Sequence, residues 1–246
     1  MISRKTLQTL SSMDALSVSR DTLLRGMVIV PLMLAIAARW VFPPAIAQAG
    51  ALLPFDLRPI YPQFMSYVLL LLAPAICGMV VGFTLLDQRD DHTLTALQVT
   101  PLPLGIYLAY RLATPMLLSF AMALVALPLS GQANLNFVEL AFVSLAAAPL
   151  APIVALFLGG YAANKVQGFA LQKALSIFFI APFVGTLFPM PWKLLTGLVP
   201  TYWPSAFLWA LQEGAWYAWF LLPVGLLYQI VLLAGLLRRF NRIVHE

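Results

Sequence analysis

The chain has 246 residues, of which 62% are hydrophobic and only 9% are charged, and its mean hydropathy is +0.91. Soluble domains are about 45–50% apolar and about 25% charged. The 14 Lys and Arg and the 9 Asp and Glu residues are too few to cover the surface of a soluble protein of this length. The composition therefore excludes a soluble enzyme and a disordered chain, and it predicts an integral membrane protein.

Six apolar runs approach or exceed the length of about 20 residues that a helix needs to cross a bilayer. None of them alternates with the period of a barrel strand, so we predict helices. In chain order the predicted spans cover 26–42, 64–86, 104–129, 137–161, 174–188 and 215–237, and the fifth is short. The predicted fold is an all-α integral membrane protein in which 1–246 form a single transmembrane domain.

The segment before the first span, 1–25, has an amphipathic pattern at helical spacing. Polar side chains fall on one side (Asp14, Ser17, Asp21 and Arg25) and apolar ones on the other (Met13, Leu16, Leu23, Leu24 and Met27), with Arg20 at the edge. Such a helix suits the membrane interface, where a long basic side chain extends toward water. The competing interpretation is a tail whose pattern is accidental.

The first apolar run also has features of a secretory signal. Residues 27–38 are followed by Ala45-Ile46-Ala47, which is similar to a signal-peptidase site. Against cleavage, the 25-residue polar lead contains Asp14 and Asp21, and Arg39 separates the apolar run from the alanines. We interpret the run as a retained first span, with processing within residues 1–47 as the alternative.

The connection between the second and third spans, 87–103, is unusually rich in charge. Asp87, Arg89, Asp90 and Asp91 precede Leu94 and Leu97 at helical spacing, and Pro101 and Pro103 then end any helix. We predict a short cytoplasmic helix here, because a plain connector needs only a few residues. The alternative is a solvated linker.

Two further connections carry structure of their own. We predict that residues 162–173 form a second short cytoplasmic element, with Lys165 and Lys173 as its charges. Residues 189–214 are too polar and too rich in proline to span, yet they contain many Trp and Leu residues. They are interpreted as a re-entrant segment packed against protein, or as an outer loop with interfacial aromatic residues.

The positive charges predict the orientation, since cytoplasmic loops are rich in Lys and Arg. With both termini inside, three of the 14 basic residues lie outside (Arg39, Arg58 and Lys193) and the other eleven lie inside: Arg4, Lys5, Arg20, Arg25, Arg89, Arg111, Lys165, Lys173, Arg238, Arg239 and Arg242. The net charge of +5 therefore reflects orientation and contact with anionic lipid, and no nucleic-acid partner is expected.

The residues needed for several kinds of membrane chemistry are missing. No Asp, Glu or His lies near the centre of a predicted span, which disfavours an ion-coupled carrier and an intramembrane protease. The single cysteine, Cys77, excludes an intramolecular disulfide, and His92 and His245 are too far apart in sequence to suggest a metal cluster. No phosphate-binding Gly-x-x-x-x-Gly-Lys-Ser/Thr loop occurs. We therefore expect no catalysis, cofactor or metal in this chain.

A family resemblance begins in the charged connection. The acidic and basic cluster, His92-Thr93-Leu94-Thr95-Ala96-Leu97, Thr100-Pro101-Leu102 and a following apolar helix with Arg111 resemble the first cytoplasmic loop of type 2 ATP-binding-cassette exporter permeases of the drug-export type. Residues 13–25 resemble that family's N-terminal elbow helix, Asn164-Lys165-Val166-Gln167-Gly168 its second cytoplasmic loop, and the segment before the last span its re-entrant helices.

The resemblance implies a permease in the prokaryotic inner membrane that works with two separate ATPase subunits and a second permease, identical or not. ATP and Mg²⁺ would be bound by the ATPase partner. The implied ATPase-coupling residues are Asp87, Arg89, Asp90, Asp91, His92, Thr93, Leu94, Leu97, Thr100, Pro101, Asn164, Lys165 and Gln167. The elbow helix would use Asp14, Arg20, Asp21 and Arg25, and an external gate Pro189, Pro191, Trp192, Pro200, Tyr202 and Trp203.

Two other functions stay open at this point. A membrane scaffold without transport activity is the alternative, and it predicts that no ATPase subunit co-purifies. An enzyme acting on lipid-linked substrates is disfavoured, because the outer side offers only Asp56 and Glu213 as acids and has no histidine. The apolar spans favour amphipathic or apolar cargo such as drugs, lipids or peptides.

Overall fold

The computed structural model of the chain describes residues 22–50, 56–91, 104–189 and 192–245. These residues form α-helices, one 3₁₀ helix and no strand, which confirms the predicted all-α fold. The elements are α1 (Thr22–Trp40), α2 (Phe42–Ala49), α3 (Tyr61–Asp90), α4 (Leu104–Ser130), α5 (Phe137–Ala147), α6 (Leu150–Tyr161), α7 (Lys165–Gly185), the 3₁₀ helix (Trp192–Leu198), α8 (Tyr202–Gln212) and α9 (Ala218–His245).

Most of these helices are long enough to cross a membrane. Within the described ranges, five helical stretches have the length and apolar composition of a span: α3, α4, α5 together with α6, α7, and α9. A sixth arises if α1 and α2 are counted as one span, which is bent by 47°. The count equals the six spans predicted from the apolar runs when the bent pair is included, and the protein is an all-α membrane protein.

Two predicted boundaries are wrong for the same reason, since helices continue through polar residues at their ends. α7 begins at Lys165, because the Asn164 side chain accepts a hydrogen bond from the Gln167 N–H (2.9 Å) and caps the helix. Residues 165–173 are thus the first turns of α7, which replaces the separate short element. Likewise α3 runs to Asp90, so that Asp87 and Arg89 lie on its last turn.

α5 and α6 are separated by a break at Pro149, which has no N–H to continue the helical ladder. Two side chains from neighbouring helices reach the carbonyls there. Gln229 on α9 donates its Nε2–H to the Ala146 oxygen (3.1 Å), and the Ser119 hydroxyl on α4 lies 3.5 Å from the Ala148 oxygen. Because lipid offers no hydrogen bonds, these buried polar groups allow the break to exist inside the bundle.

α3 and α6 form the centre of the bundle, and their backbones approach closely at two glycines of α3. A Cβ atom on Gly78 would lie 2.5 Å from the carbonyl oxygen of Ala151, and one on Gly82 would lie 3.0 Å from the Leu158 side chain. Small residues that permit such contact are the usual means of helix association in lipid. This contact aligns the last turn of α3 with the end of α6.

Residues 192–212 form a helical hairpin whose two arms start and finish at the same end of the bundle. Thr196 lies against Gly185 near the end of α7. The Thr201 hydroxyl then donates to the Phe178 carbonyl (2.6 Å). Phe178 lies about 10 Å closer to the start of α7 than Gly185 does, at 1.5 Å per residue. α8 returns, and Gln212 Nε2 donates to the Ser66 hydroxyl (3.2 Å) near the start of α3.

Candidate functional site at the charged end of the bundle

One end of the bundle gathers residues that the sequence had assigned to two separate segments. We call it the charged end; it comprises the last turn of α3 with Asp91, the α6–α7 connection, the start of α7, and the C-terminal part of α9. Lys165 Nζ lies 2.8 Å from Asp87 Oδ1. Both side chains are about half exposed to solvent, 59% for Lys165 and 41% for Asp87. The described start of the first predicted coupling segment, residues 87–91, thus lies beside the second segment.

Arg89 joins α3 to the end of α6. Its guanidinium donates to the carbonyl of Gly159 (3.0 Å) and to that of Ala162 (2.6 Å), and only 20% of the side chain is exposed. The carboxylate of Asp90 lies 3.9 Å away. The last carbonyls of a helix have no partner within the helix and form the negative end of its dipole. Arg89 therefore gives these carbonyls hydrogen-bond donors and places a positive charge at the negative end of the helix dipole.

Arg239 on α9 binds the same helix end. Its Nε–H donates to the Gly160 carbonyl (3.1 Å), and its guanidinium carbon lies 3.9 Å from the centre of the Tyr161 ring. The second contact is a cation–π interaction. The end of α6 is therefore held by one arginine from α3 and another from α9.

Sequence reasoning missed the role of Arg239, which had served only as a positive charge for orientation. It also missed a hydrogen bond from the Tyr107 hydroxyl on α4 to Gln88 Oε1 (2.8 Å) on α3. No local signal could have found either contact, because each joins helices that are distant in sequence. The signal that was available, and was not used, is the Asn164…Gln167 pair, which has the spacing of a helix cap.

The start of α7 also presents apolar side chains to the outside. Val166 is 81% exposed and Phe169 is 58% exposed, although the Phe169 ring still contacts that of Phe83 on α3, tilted by 37° with centroids 4.6 Å apart. These residues flank the Asp87–Lys165 pair. Apolar side chains bordered by charges are typical of a surface that binds another protein.

The predicted site residues fall into three groups: those at the charged end, those in or near other described helices, and those outside the described residues. Asp87, Arg89, Asp90, Asp91, Asn164, Lys165 and Gln167 belong to the charged end. Pro200, Tyr202 and Trp203 belong to the hairpin, Pro189 follows α7, Trp192 begins the 3₁₀ helix, and Arg25 lies in α1. Outside the described residues lie Asp14, Arg20, Asp21, His92, Thr93, Leu94, Leu97, Thr100, Pro101 and Pro191.

The tip of the hairpin is tied to its surroundings by aromatic side chains. Trp203 Nε1 donates to the Gly197 carbonyl (3.0 Å), and the Tyr228 hydroxyl on α9 donates to the Leu198 carbonyl. Beneath the tip, between α6, α7 and α9, lies an apolar cavity of about 250 Å³. Residues 198–201 at the tip form one wall of this cavity.

The fold and the site together define the class: a multi-pass membrane protein with a structured cluster of charges at one end. A family model described as "Fluoroquinolones export permease protein Rv2686c-like" matches residues 14–237. The chain belongs to this Rv2686c-like family of export permeases.

Curated relatives agree with the family model. The chain is similar to the fluoroquinolones export permease proteins MT2760 and Rv2686c, from Mycobacterium tuberculosis strains CDC 1551 / Oshkosh and ATCC 25618 / H37Rv. Each is 31% identical over 225 residues, which covers 90% of this chain and 88% of the relative. No solved structure matches the chain.

Proposed function

We propose that this chain is the membrane permease of an ATP-driven exporter, in which two permeases pair with two separate ATPase subunits that bind ATP and Mg²⁺. Its place is the cell membrane, with both termini in the cytoplasm and the charged end therefore facing the ATPase. The cargo is an amphipathic aromatic compound. The names of the relatives, which specify fluoroquinolones, support this class of cargo.

The observation that carries the proposal is the set of contacts at the charged end. Asp87 pairs with Lys165, and Arg89 binds the carbonyls of Gly159 and Ala162, so three helices meet where a partner would act. A force applied to the last turn of α3 would reach α6 directly through Arg89. Rigid-body motion of joined helices is a common way to transmit such a force.

The hairpin supplies the second part of the proposed mechanism. It enters and leaves at the end opposite the charged end, which is the outer end in the proposed orientation. There it would act as the external gate, with Tyr202 and Trp203 in its second arm. Cargo would leave when the motion of α7 and α9 releases the hydrogen bonds of Thr201 and Tyr228 at its tip.

Charge reversal at the ion pair tests the coupling role. Asp87→Lys and Lys165→Asp each replace the ion pair of 2.8 Å with two like charges at neighbouring positions, whereas the double reversal restores an attractive pair. Exposed pairs contribute only about 0.2–1 kcal/mol to stability, so the variants should fold. We expect each single reversal to lower ATP-dependent export of a fluoroquinolone from cells by roughly fivefold, and the double reversal to restore it.

The matched control is the exposed Asp56–Arg58 pair at the opposite end, whose closest charged atoms lie 3.9 Å apart. Its reversal should leave export unchanged. The proposal would be refuted if no ATPase subunit co-purified with the chain, or if export persisted without that subunit. Reporter fusions at each terminus test the orientation, and an outer location of either terminus would contradict it.

A further inference from the structure

A groove between α3 and α7 differs from the rest of the helix surface in its chemistry. It has a volume of about 280 Å³, near the lower end of the range for sites that bind drug-sized molecules. Aromatic side chains from both helices line it: Phe64 and Tyr67 from α3, and Phe179 and Phe183 from α7. Gln172 lies on the same wall of α7.

Two polar atoms in this lining are shielded from water and have no hydrogen-bond partner among the described residues. One is the hydroxyl of Tyr67, a side chain that is only 4% exposed, and the other is Oε1 of Gln172. Buried polar atoms are almost always paired, so each of these calls for an explanation. A lipid acyl chain in the groove would offer no donor to Gln172.

The rings of the groove are arranged to receive a further ring. Phe64 and Phe183 meet edge to face with centroids 5.0 Å apart, and Tyr67 lies nearly parallel to Phe183 at 6.1 Å. Aromatic pairs favour such edge-to-face and offset geometries, which a planar ligand can extend. Tyr67 also contacts Trp209 of α8 at 5.4 Å, so the groove adjoins the second arm of the hairpin.

We propose that this groove is a cargo-binding site for planar aromatic compounds that carry at least one N–H or O–H donor. The ring stacks against Phe179 and Phe183. When α7 moves away from α3 and the groove widens, the donor binds Gln172 Oε1 and the Tyr67 hydroxyl binds a second polar group of the cargo. This inference rests on the proposed export function and specifies which amphipathic compounds that function would select.

The site is tested by measuring how tightly the fluoroquinolone norfloxacin binds the purified chain. The chain is held in nanodiscs of phosphatidylethanolamine and phosphatidylglycerol, and the dissociation constant is read from the fluorescence of the drug. Tyr67→Phe and Gln172→Met each remove one hydrogen bond and should weaken binding roughly 3- to 10-fold. Phe183→Ala removes a stacking surface and should weaken it at least about 10-fold.

Thermal unfolding without drug separates a binding role from a structural one. Removal of an unpartnered buried hydroxyl should leave the midpoint of Tyr67→Phe unchanged or raised, while binding still weakens. A lowered midpoint would show that the hydroxyl is needed for packing and would overturn the inference. Tyr107→Phe, on α4 and away from the lining of the groove, is the matched control for the binding measurement and should leave the dissociation constant unchanged.

Two further outcomes would overturn the site. If Tyr228→Phe weakened binding and Tyr67→Phe did not, the drug would occupy the cavity beneath the hairpin. If cross-linking through cysteines placed in the groove joined two chains, and drug did not block it, the groove would be a permease–permease interface. If cells with the wild-type chain export fluoroquinolone, either result refutes only the assignment of the cargo site to the groove. If those cells do not export it, the proposed function itself is refuted.

Discussion

Replacing Arg89 with methionine tests the idea that this side chain holds the end of α6. Methionine keeps much of the apolar length but cannot donate to the carbonyls of Gly159 and Ala162. Hydrogen bonds from a charged group contribute about 1.5–3 kcal/mol each. Because 20% of the side chain is exposed and water can replace part of the loss, we expect a total cost of about 2–3 kcal/mol. Arg89→Lys keeps the charge and one bond, and should cost about half as much.

Hydrogen exchange at the Ala162 amide provides the assay. This amide donates to the Leu158 carbonyl (3.0 Å), in the last turn of α6. A cost of 2–3 kcal/mol corresponds to exchange that is roughly 30- to 140-fold faster in Arg89→Met. Arg242→Met, an exposed change on α9, is the control and should leave exchange unaltered. If Arg89→Met exchanged at the wild-type rate, the capping role assigned to Arg89 would be wrong.

Two predictions concern the core of the bundle, and unfolding in mixed micelles measures both. Gly78→Ala places a Cβ 2.5 Å from the Ala151 oxygen and should destabilise the protein by about 1–3 kcal/mol. Gly235→Ala is the control and should have no effect, because nothing lies within 4 Å of its Cβ position. Equal effects of the two substitutions would contradict close α3–α6 contact. Gln229→Leu removes the bond to Ala146 and should cost about 0.5–1 kcal/mol, and a stability gain would show that the break after α5 needs no side-chain partner.

The spans were predictable because the requirement for about 20 apolar residues is a property of the bilayer and can be read from run length alone. The ends of the helices were harder to predict. The fifth span was placed nine residues too late, because polar residues on α7 were taken as loop, although Asn164 and Gln167 have the spacing of a cap. The residues of the charged end were found in part, since charge clusters stand out in an apolar sequence.

What could not be predicted is which helices meet. Arg89 looks like one more basic residue until α6 is seen to end beside it. Tyr67 and Gln172 look like ordinary polar residues of two apolar helices until both are found in one groove. These features depend on tertiary packing, which in turn depends on small residues such as Gly78 that carry no chemical signal of their own.

The strengths of the contacts to α3 decide which neighbouring helix can move away from it most easily. α6 is buried along almost its whole length and is held by Arg89, while α7 buries only Gly168, Leu175, Pro182 and Gly185. At the charged end α7 is joined to α3 by an exposed ion pair, by the tilted Phe83–Phe169 ring pair, and by the close approach of Gly168 to Phe83 and Leu86. Separation of α7 from α3 therefore costs less than separation of α6.

The groove that contains Tyr67 lies between α3 and α7, which part more easily than α3 and α6. Force from a partner at the charged end should therefore widen this groove before it disturbs the α3–α6 contact. Spin labels on α3 and α7 should show a distance change when the proposed ATPase partner binds ATP, and labels on α3 and α6 should not. A larger change between α3 and α6 would mean that Arg89 yields before the Asp87–Lys165 pair, which would contradict the ranking of these contacts.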